Sequence, residues 1–464
     1  MNAVKGLYQD SAGEFTVRAE PDLELAWRML HDEEYHRWKA EIMGFVDQTA
    51  EAVDRRLVSE RNSRELQIQE LVLLAMFLGF TSLVLVAVVL LLAIFWMRGD
   101  GAATQSVDKQ RSQGKLVLAA LVGSWPLFLT AVLAALFVSG LVWRNTVQLE
   151  SAERQEKLNA FETVLNATTR TVQQWFSEQE GEARIWATKL GREGLAEIFD
   201  HAVSSDSTQV AEARRYLADN LSVLLRERNY EGYLLITRSG EVLASSEPDL
   251  VGRQLKEMAG AEFVNESFSS PDYSSVLLPR LWQGAGEDRR AIMMVGAALR
   301  GTAEITDTAL VLLIDPEKEF TEILQRGRIG VSGESYAFNR LGQLISESRF
   351  DDDLRDIGLV RPDQRGILNI EVRDPGGNMV DGFRPATNRS GQPLTRMAQS
   401  AIGGKNETDL DGYNDYRGVP VVGVWVWLEE LGMGIATEMD VAEAMESIVN
   451  LRRQAFTTIF VVLL

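Results

Sequence analysis

The chain has no cysteine and only three histidines among its 464 residues. Without cysteine it has no disulfide framework, no thiolate metal site and no cysteine nucleophile. His201 is the only histidine after Trp143, so a serine–histidine–aspartate arrangement there would depend on a single residue in a predicted helix end. The net charge of −20, from 47 basic and 67 acidic side chains, argues against a nucleic-acid partner.

Motifs for catalysis and metal binding are also missing. The segment GGKNE at Gly403 lacks the first glycine and the hydroxyl of a phosphate-binding loop, and no Gly-x-Ser-x-Gly elbow occurs. Glu33 and His36 have a di-iron spacing without the further ligands, so a solvated helix face is the simpler interpretation. The segment DLDGYND at Asp409 resembles a calcium loop only superficially, and we expect a turn before a strand there. We predict no catalytic residue, no metal site and no cofactor.

Long apolar runs are few, but they organise the chain. Leu71–Met97 and Leu116–Trp143 carry no charge and are long enough to span a bilayer. The connector between them holds four basic residues, so the positive-inside rule places it in the cytoplasm and the region after Trp143 outside. Arg452 and Arg453, before the last apolar segment, run against this topology. That segment, AFTTIFVVLL, is too short to span, so we expect a truncated transmembrane helix and an incomplete N-terminus.

Two stretches have the period of an amphipathic helix. The first runs from Asp22 toward the first span, and LHDEEYHRWKAEIMGFVD resembles the last periplasmic helix of four-helix-bundle bacterial receptors. The second follows Trp143 and predicts a stalk helix, which could also be a dimerisation coiled coil. Its apolar positions are Leu158, Phe161, Leu165, Val172, Trp175, Trp186 and Leu190.

The rest of the exterior region predicts mixed helices and strands. After an amphipathic helix over Ser207–Arg228, two apolar runs flank the turn Arg238-Ser239-Gly240, which predicts a β-hairpin. Strands follow at Ala291–Leu299 and Ala309–Ile314, and Asp315-Pro316 starts a helix. The cycle then repeats with a hairpin around Leu341-Gly342, a strand in ILNIEV, a helix in PLTRMAQSAIGG and two final strands. The fold class is therefore α+β.

These pieces together resemble the double Cache (dCache) family of extracytoplasmic sensors, over Arg144 to Asn450. The resemblance rests on GYLLITRSGEVLASS, LVLLIDPEKEFTEIL, GVSGESYAFNRLGQLISESRF, DYRGVPVVGVWVWL and GMGIATEMDVAEA. It implies two PAS-like α/β modules after a membrane-anchored helix. The segment YAFNRLGQLISESRF with VRDPGGN is similar to a subgroup that precedes adenylate or guanylate cyclase, protein kinase and histidine kinase outputs.

The resemblance also implies where a ligand would bind. The amino-acid-binding branch of the family uses an Arg-x-Trp motif with a Tyr and a later Asp in the membrane-distal module, which Arg280, Trp282, Tyr233 and Asp315 would supply. An Arg can hold a carboxylate, an aromatic ring can cover the ligand and an Asp can pair with an ammonium. The alternative is that Arg280 is a surface charge and Trp282 a packed core residue. Trp425, Trp427, Tyr413 and Tyr416 are predicted to be core of a transmitting proximal module.

We therefore expect a multi-pass receptor of the bacterial inner membrane that relays binding of an amino acid, amine or organic acid to a cytoplasmic output. Homodimerisation along the stalk is expected. Two alternatives remain open: the input half of a cyclase or kinase, and an ectodomain without a ligand. The expected segments are an N-terminal helical segment (1–70), a first span (71–97), a connector (98–115), a second span (116–143), a stalk (144–200), a distal module (201–326), a proximal module (327–440), a return helix (441–454) and the start of a last span (455–464).

Overall fold

A computed structural model describes residues 7–8, 17–18, 109–195, 198–199, 207–269, 274–283, 289–300 and 305–463. The α-helices in these ranges are α1 (Lys109–Arg192), α2 (Ser207–Glu227), α3 (Leu255–Ala259), α4 (Ala261–Ser267), α5 (Glu319–Arg326), α6 (Asp351–Asp356), α7 (Arg396–Ile402), α8 (Val441–Ala444) and α9 (Glu446–Leu463). The strands are β1 (Leu7–Tyr8), β2 (Val17–Arg18), β3 (Tyr230–Thr237), β4 (Val242–Ser245), β5 (Ser275–Gln283), β6 (Arg289–Arg300), β7 (Ile305–Ile314), β8 (Glu334–Asn339), β9 (Glu407–Asn414), β10 (Pro420–Leu428) and β11 (Met433–Asp440).

The chain divides into two compact units. One comprises Met1–Thr49 and Ala160–Glu443, and the other comprises Ala50–Asn159 and Ala444–Leu464. The four-stranded and five-stranded sheets both lie in the first unit. The predicted first span and N-terminal helical segment lie outside the described residues, apart from the short pair β1–β2.

Helix α1 is one continuous element of 84 residues. It begins inside the predicted connector and ends at Arg192, so the second predicted span and the stalk form a single helix. The predicted apolar stripe of the stalk is confirmed: of its seven positions all but Leu158 are buried. Trp175 and Phe176 pack against Phe320 of α5, with ring centroids 5.7 and 5.8 Å from the phenylalanine ring. The stalk therefore contacts the helix that joins the two sheets.

The distal sheet has five antiparallel strands in the order β4-β3-β7-β6-β5. The predicted hairpin is confirmed, because β3 pairs with β4 through a turn in which Gly240 has φ +93°. Successive side chains along each strand point to opposite sides of the sheet, and both sides are buried. We call one the cap face; it carries Leu234, Met294 and Val311 and packs against α3 and α4. The other is the stalk face, where the Tyr230 hydroxyl donates to Oε1 of Gln179 on α1 at 2.6 Å.

The proximal sheet has four antiparallel strands in the order β8-β11-β10-β9. Its core contains the four aromatic residues predicted there, Tyr413, Tyr416, Trp425 and Trp427. Helix α7 begins where PLTRMAQSAIGG predicts, with the Thr395 side chain accepting a hydrogen bond from the Ala398 backbone N–H. The loops between β8 and β9 cover the sheet and complete this core.

Two local predictions for the proximal module were wrong, and a third, the hairpin at Gly342, is confirmed in part. ILNIEV forms turns and isolated bridges, because Leu368 takes a left-handed backbone with φ +59° that interrupts any strand. The hairpin turn at Gly342 is present, but the returning arm forms only an isolated bridge between Phe338 and Leu344. DLDGYND is part of strand β9 itself, where Asp409 Oδ1 accepts from the backbone N–H of Asp411 and Gly412 at a bulge.

Candidate ligand-binding site

Trp282 lies on the cap face of the distal sheet. It occupies edge strand β5, is 2% exposed and belongs to the apolar cluster that α3 and α4 complete. Its indole Nε1 is buried without a hydrogen-bond partner. A buried N–H without an acceptor costs about 1–3 kcal/mol, so this donor is available to an acceptor that enters the cap face.

Arg280 lies on the same strand, at the rim of the same face. Its side chain is exposed, and its Nη1 donates to the Ala259 carbonyl oxygen at the end of α3, 2.6 Å away. The guanidinium is thus held beside the helix that covers the face. Arg280 and Trp282 are the two predicted ligand residues that the structure brings together.

Tyr233 lies on the opposite, stalk face. Its register partner on β7 is Leu312, whereas the neighbouring Leu234 points into the cap face. Burial raises the pKa of the Tyr233 hydroxyl above its usual value. The structure therefore does not place Tyr233 on the face that holds Trp282, and its ligand role stays a prediction.

Asp315 is the first residue after β7, and it shapes the turn into α5. Its Oδ1 accepts from the Glu317 backbone N–H at 2.9 Å, and its Oδ2 lies 3.8 Å from Lys318 Nζ. Lys318 also pairs with Glu231, which in turn contacts Arg290. Arg290 is the register partner of Trp282. Within the described residues, Asp315 thus connects to the Trp282 end of β5 through this chain of surface ion pairs.

Two buried serines on the cap face were missed from the sequence. The hydroxyls of Ser267 on α4 and Ser275 on β5 lie 2.5 Å apart, next to Gly296 of β6. A Cβ atom at Gly296 would come within 2.3 Å of the Ser267 hydroxyl, so this glycine lets α4 approach the sheet. Isolated serines carry no sequence signal, since only the pairing of strands and helix brings them together.

The part of the chain that the structure describes contains no group of three or more acidic or histidine side chains that could hold a metal ion. The same part has one helix that is long and apolar enough to cross a membrane, within Val132–Arg192. Leu133, Leu136 and Phe137 on this helix are more than half exposed. One helix could therefore span a membrane, and the predicted first span lies outside the described residues.

No protein-family model matches the chain, and no curated protein matches it. Solved structures do resemble it. The sensor domain of the V. cholerae histidine kinase DctB is 15% identical, with a TM-score of 0.39 over 62% of this chain and 98% of that one. The ligand-binding domain of the Pseudomonas fluorescens chemoreceptor CtaA, in complex with L-isoleucine, is 13% identical, with a TM-score of 0.35 over 64% and 98%. The periplasmic domain of RsbU from Chlamydia trachomatis is 12% identical, with a TM-score of 0.36 over 65% and 98%.

By their names, these neighbours are a histidine kinase sensor domain, a chemoreceptor ligand-binding domain and a periplasmic domain. The two-sheet α+β architecture of this chain is shown by its own strand order and its two apolar cores.

Proposed function

We propose that this chain is the sensing region of a membrane receptor whose distal module binds a small molecule on the cap face. The observation that carries the proposal is the buried, unpartnered Nε1–H of Trp282. Native proteins rarely leave a buried donor unsatisfied, and such a group calls for an explanation. A ligand oxygen beside Trp282 would supply the missing acceptor.

The neighbouring groups suggest the ligand's chemistry. Arg280 can pair with a carboxylate by a charge-assisted hydrogen bond once its present bond to the Ala259 carbonyl is exchanged. The remainder of the cap face is apolar, formed by side chains such as Phe263 and Met294. We therefore propose an amino acid or a small organic acid, with its carboxylate toward Arg280 and Trp282 and its apolar part against α4. An amine without an acid group fits this chemistry less well.

The route from ligand to membrane is also part of the proposal. Ligand beneath α3 and α4 would favour one arrangement of the sheet against the stalk, and that difference would bias the helices that reach the membrane. The exposed apolar side chains of α1 suit contact with lipid. Multi-pass topology, an extracytoplasmic location, a homodimer and a cytoplasmic output, including a cyclase or kinase, are proposed from the sequence pattern.

The test is a thermal-shift screen of the full chain in detergent against amino acids, organic acids and amines. A ligand at a hundredfold its dissociation constant stabilises the folded state by about 2.7 kcal/mol. We expect a carboxylate-bearing hit whose affinity falls about fivefold or more in Trp282→Phe, which keeps the ring and removes the donor.

The matched control is Trp425→Phe, since Trp425 is equally buried but lies in the proximal module. Tyr233→Phe and Asp315→Asn, measured alongside, test the other two predicted residues. Unchanged ligand affinity in Trp282→Phe and Arg280→Ala would refute the cap-face site. No hit from a folded sample would favour the ectodomain without a ligand.

A further inference from the structure

A row of acidic side chains crosses the proximal sheet. Glu334 on β8 is the register partner of Glu438 on β11, which pairs with Gly423 on β10, which in turn pairs with Asp409 on β9. Directly opposite residues on antiparallel strands point to the same face, and here that face is the buried core. Like charges at directly opposite positions destabilise a sheet, so the Glu334–Glu438 pair requires an explanation.

Glu438 is 3% exposed and both of its carboxylate oxygens are occupied. The Tyr413 hydroxyl donates to Oε1 at 2.6 Å, and the Tyr336 hydroxyl donates to Oε2 at 2.9 Å. Gly423 leaves the space for these groups: a Cβ atom there would lie 2.7 Å from the Tyr413 hydroxyl. The carboxyl group is therefore built into the sheet with its own donors.

Glu334 is 5% exposed and is held in the same way. Its Oε2 accepts from the Tyr416 hydroxyl at 2.7 Å. Its Oε1 accepts from the Ser348 hydroxyl at 2.9 Å and from the Arg349 backbone N–H at 3.0 Å. Hydroxyl and backbone N–H groups thus contact all four oxygens of the pair, which leaves no free ligand atom for a metal or an organic cation. Because a hydroxyl can accept as well as donate, these contacts also accommodate a protonated carboxyl.

Positive charge is scarce around the pair. The titratable groups that face Glu438 from the elements around it are Glu334 and Tyr336 on β8, Asp409 and Tyr413 on β9, and Asp415, Tyr416 and Arg417 in the turn before β10. Arg417 is the buried cation of this set, and its Nε lies 2.7 Å from Asp415 Oδ2. Two further guanidinium groups lie nearby, but Arg349 donates to the Gly333 carbonyl and Arg389 to the Tyr416 carbonyl rather than to either glutamate. Arg417 also contacts Asp353 and Asp440, at 3.7 and 3.4 Å. Asp409 is paired with the exposed Arg396.

The pKa values of both glutamates are therefore shifted in the same direction, upward. Burial raises the pKa of Glu438 to about 8; the charge on Asp415 acts in the same direction, and the phenol hydrogen bonds oppose it. Burial also raises the pKa of Glu334, against the influence of Arg417. Buried carboxyls that cannot be paired with a cation keep a proton instead.

The pair lies next to the start of the return helix. The carboxylate of Glu443, on α8, accepts from the backbone N–H of Val331 at 2.8 Å and of Ser332 at 2.7 Å. The Asp440 N–H in turn donates to the Ser332 hydroxyl at 3.1 Å. We call this set of bonds the junction clasp. Glu334 follows it by two residues on β8, and Glu438 precedes it by two residues on β11.

We propose that Glu334 and Glu438 form a proton-operated switch in the proximal module: the buried pair keeps a proton at neutral pH, and its loss places two negative charges at directly opposite positions, which weakens the pairing of β8 with β11 beside the junction clasp. The switch would give the chain an input separate from any ligand of the distal module. It does not rest on the function proposed above.

Because the pKa of Glu438 is raised, the stability of the folded chain should fall as the pH rises. Because the carboxyl of Glu438 binds its proton more tightly in the folded chain than in the unfolded one, its stabilising contribution is complete below its ordinary pKa of 4.5. That contribution is lost as the pH rises toward about 8. Across this window the ratio of folded to unfolded chain should fall by up to about tenfold per pH unit.

The experiment uses the full chain in detergent and two measurements. Infrared difference spectra between about pH 4 and about pH 10 follow the carbonyl band of a protonated carboxyl group, which should titrate with a midpoint near the expected value of about 8. Thermal unfolding over the same range should show the wild type losing stability with rising pH. Glu438→Gln, which mimics the protonated side chain, should lose the band and most of that pH dependence.

Glu430→Gln is the matched control, because Glu430 is exposed in the turn between β10 and β11 and should follow the wild type. A Glu334→Gln/Glu438→Gln double variant removes both carboxyls. Persistence of the band in the double variant would refute the assignment. A wild-type midpoint below about pH 6 would refute it independently of whether any variant folds.

Discussion

Replacing Gly423 with alanine tests whether the row of groups across the proximal sheet is as tightly packed as the distances indicate. Gly423 does not use the left-handed backbone that favours glycine, so alanine meets no conformational obstacle there. Its new methyl group would, however, lie 2.7 Å from the Tyr413 hydroxyl, 2.8 Å from the Thr437 carbonyl oxygen and 2.9 Å from Cγ of Glu438. Any loss of stability is therefore steric, and it is opposed by the lower entropy that alanine gives the unfolded chain.

These three contacts determine the expected loss of folding stability. Inserting a methyl group into a packed core typically costs about 1–3 kcal/mol. The carbonyl oxygen of Thr437 belongs to the central strand β11 and cannot move away freely, so we expect the upper half of that range. Tyr413→Phe removes the nearest of the three atoms, so the double variant Tyr413→Phe/Gly423→Ala should lose less than the sum of the single losses.

Native-state hydrogen exchange of the β10 and β11 amides measures this effect within the module. Protection should fall by about thirtyfold to 150-fold in Gly423→Ala, since about 1.4 kcal/mol corresponds to a factor of ten. Gly181→Ala is the control: Gly181 lies in α1 with no atom near its would-be Cβ, so the same change should stabilise by about 0.5–1 kcal/mol. Unchanged or increased protection in Gly423→Ala would refute the packing argument.

Two further substitutions test local contacts by thermal or denaturant unfolding. Thr395→Ala removes the acceptor for the Ala398 N–H at the start of α7 and should cost about 1 kcal/mol, whereas Thr395→Ser should be nearly neutral; equal losses would contradict the capping role. Phe320→Ala opens a cavity beside Trp175 and Phe176 of the stalk and should cost about 3–5 kcal/mol, while a loss below about 1 kcal/mol would mean that α5 does not depend on this contact.

Elements with a strong local pattern could be predicted from the sequence. The hairpin at Gly240 and the final strands alternate or form apolar runs between turn residues, and they pair with near neighbours. Strand β5, which contains Pro279, was not predicted from the sequence. A proline is tolerated there since β5 is an edge strand with a register shift between Leu277 and Arg280.

Apolar composition alone was misleading in ILNIEV. Ile367, Leu368 and Ile370 are buried as expected of a strand, but they reach the core from turns rather than from a sheet. A short apolar run predicts that its residues are buried. Whether they form a strand depends on hydrogen-bonding partners elsewhere in the fold.

The candidate sites depend still more on distant pairing. Arg280 and Trp282 were found because they are adjacent in sequence. The face occupied by Tyr233 depends on a bulge in β3 near Tyr230, which a single sequence does not reveal. Tyr336 and Glu438 are 102 residues apart, and only the β8–β11 pairing brings them within hydrogen-bond distance.

That late pairing has a consequence for the order in which the chain can acquire its structure during synthesis. The distal sheet is complete once Ile314 has been made, because β7 is its last strand. The proximal sheet begins with β8, whose only strand neighbour in the described structure is β11. β8 therefore has an unpaired edge until Asp440 has been made. Domains generally fold from the N-terminus onward while synthesis proceeds at about 5–20 residues per second. During that interval of several seconds the nascent chain would be a folded distal module followed by an aggregation-prone segment, the period in which a chaperone would be most needed.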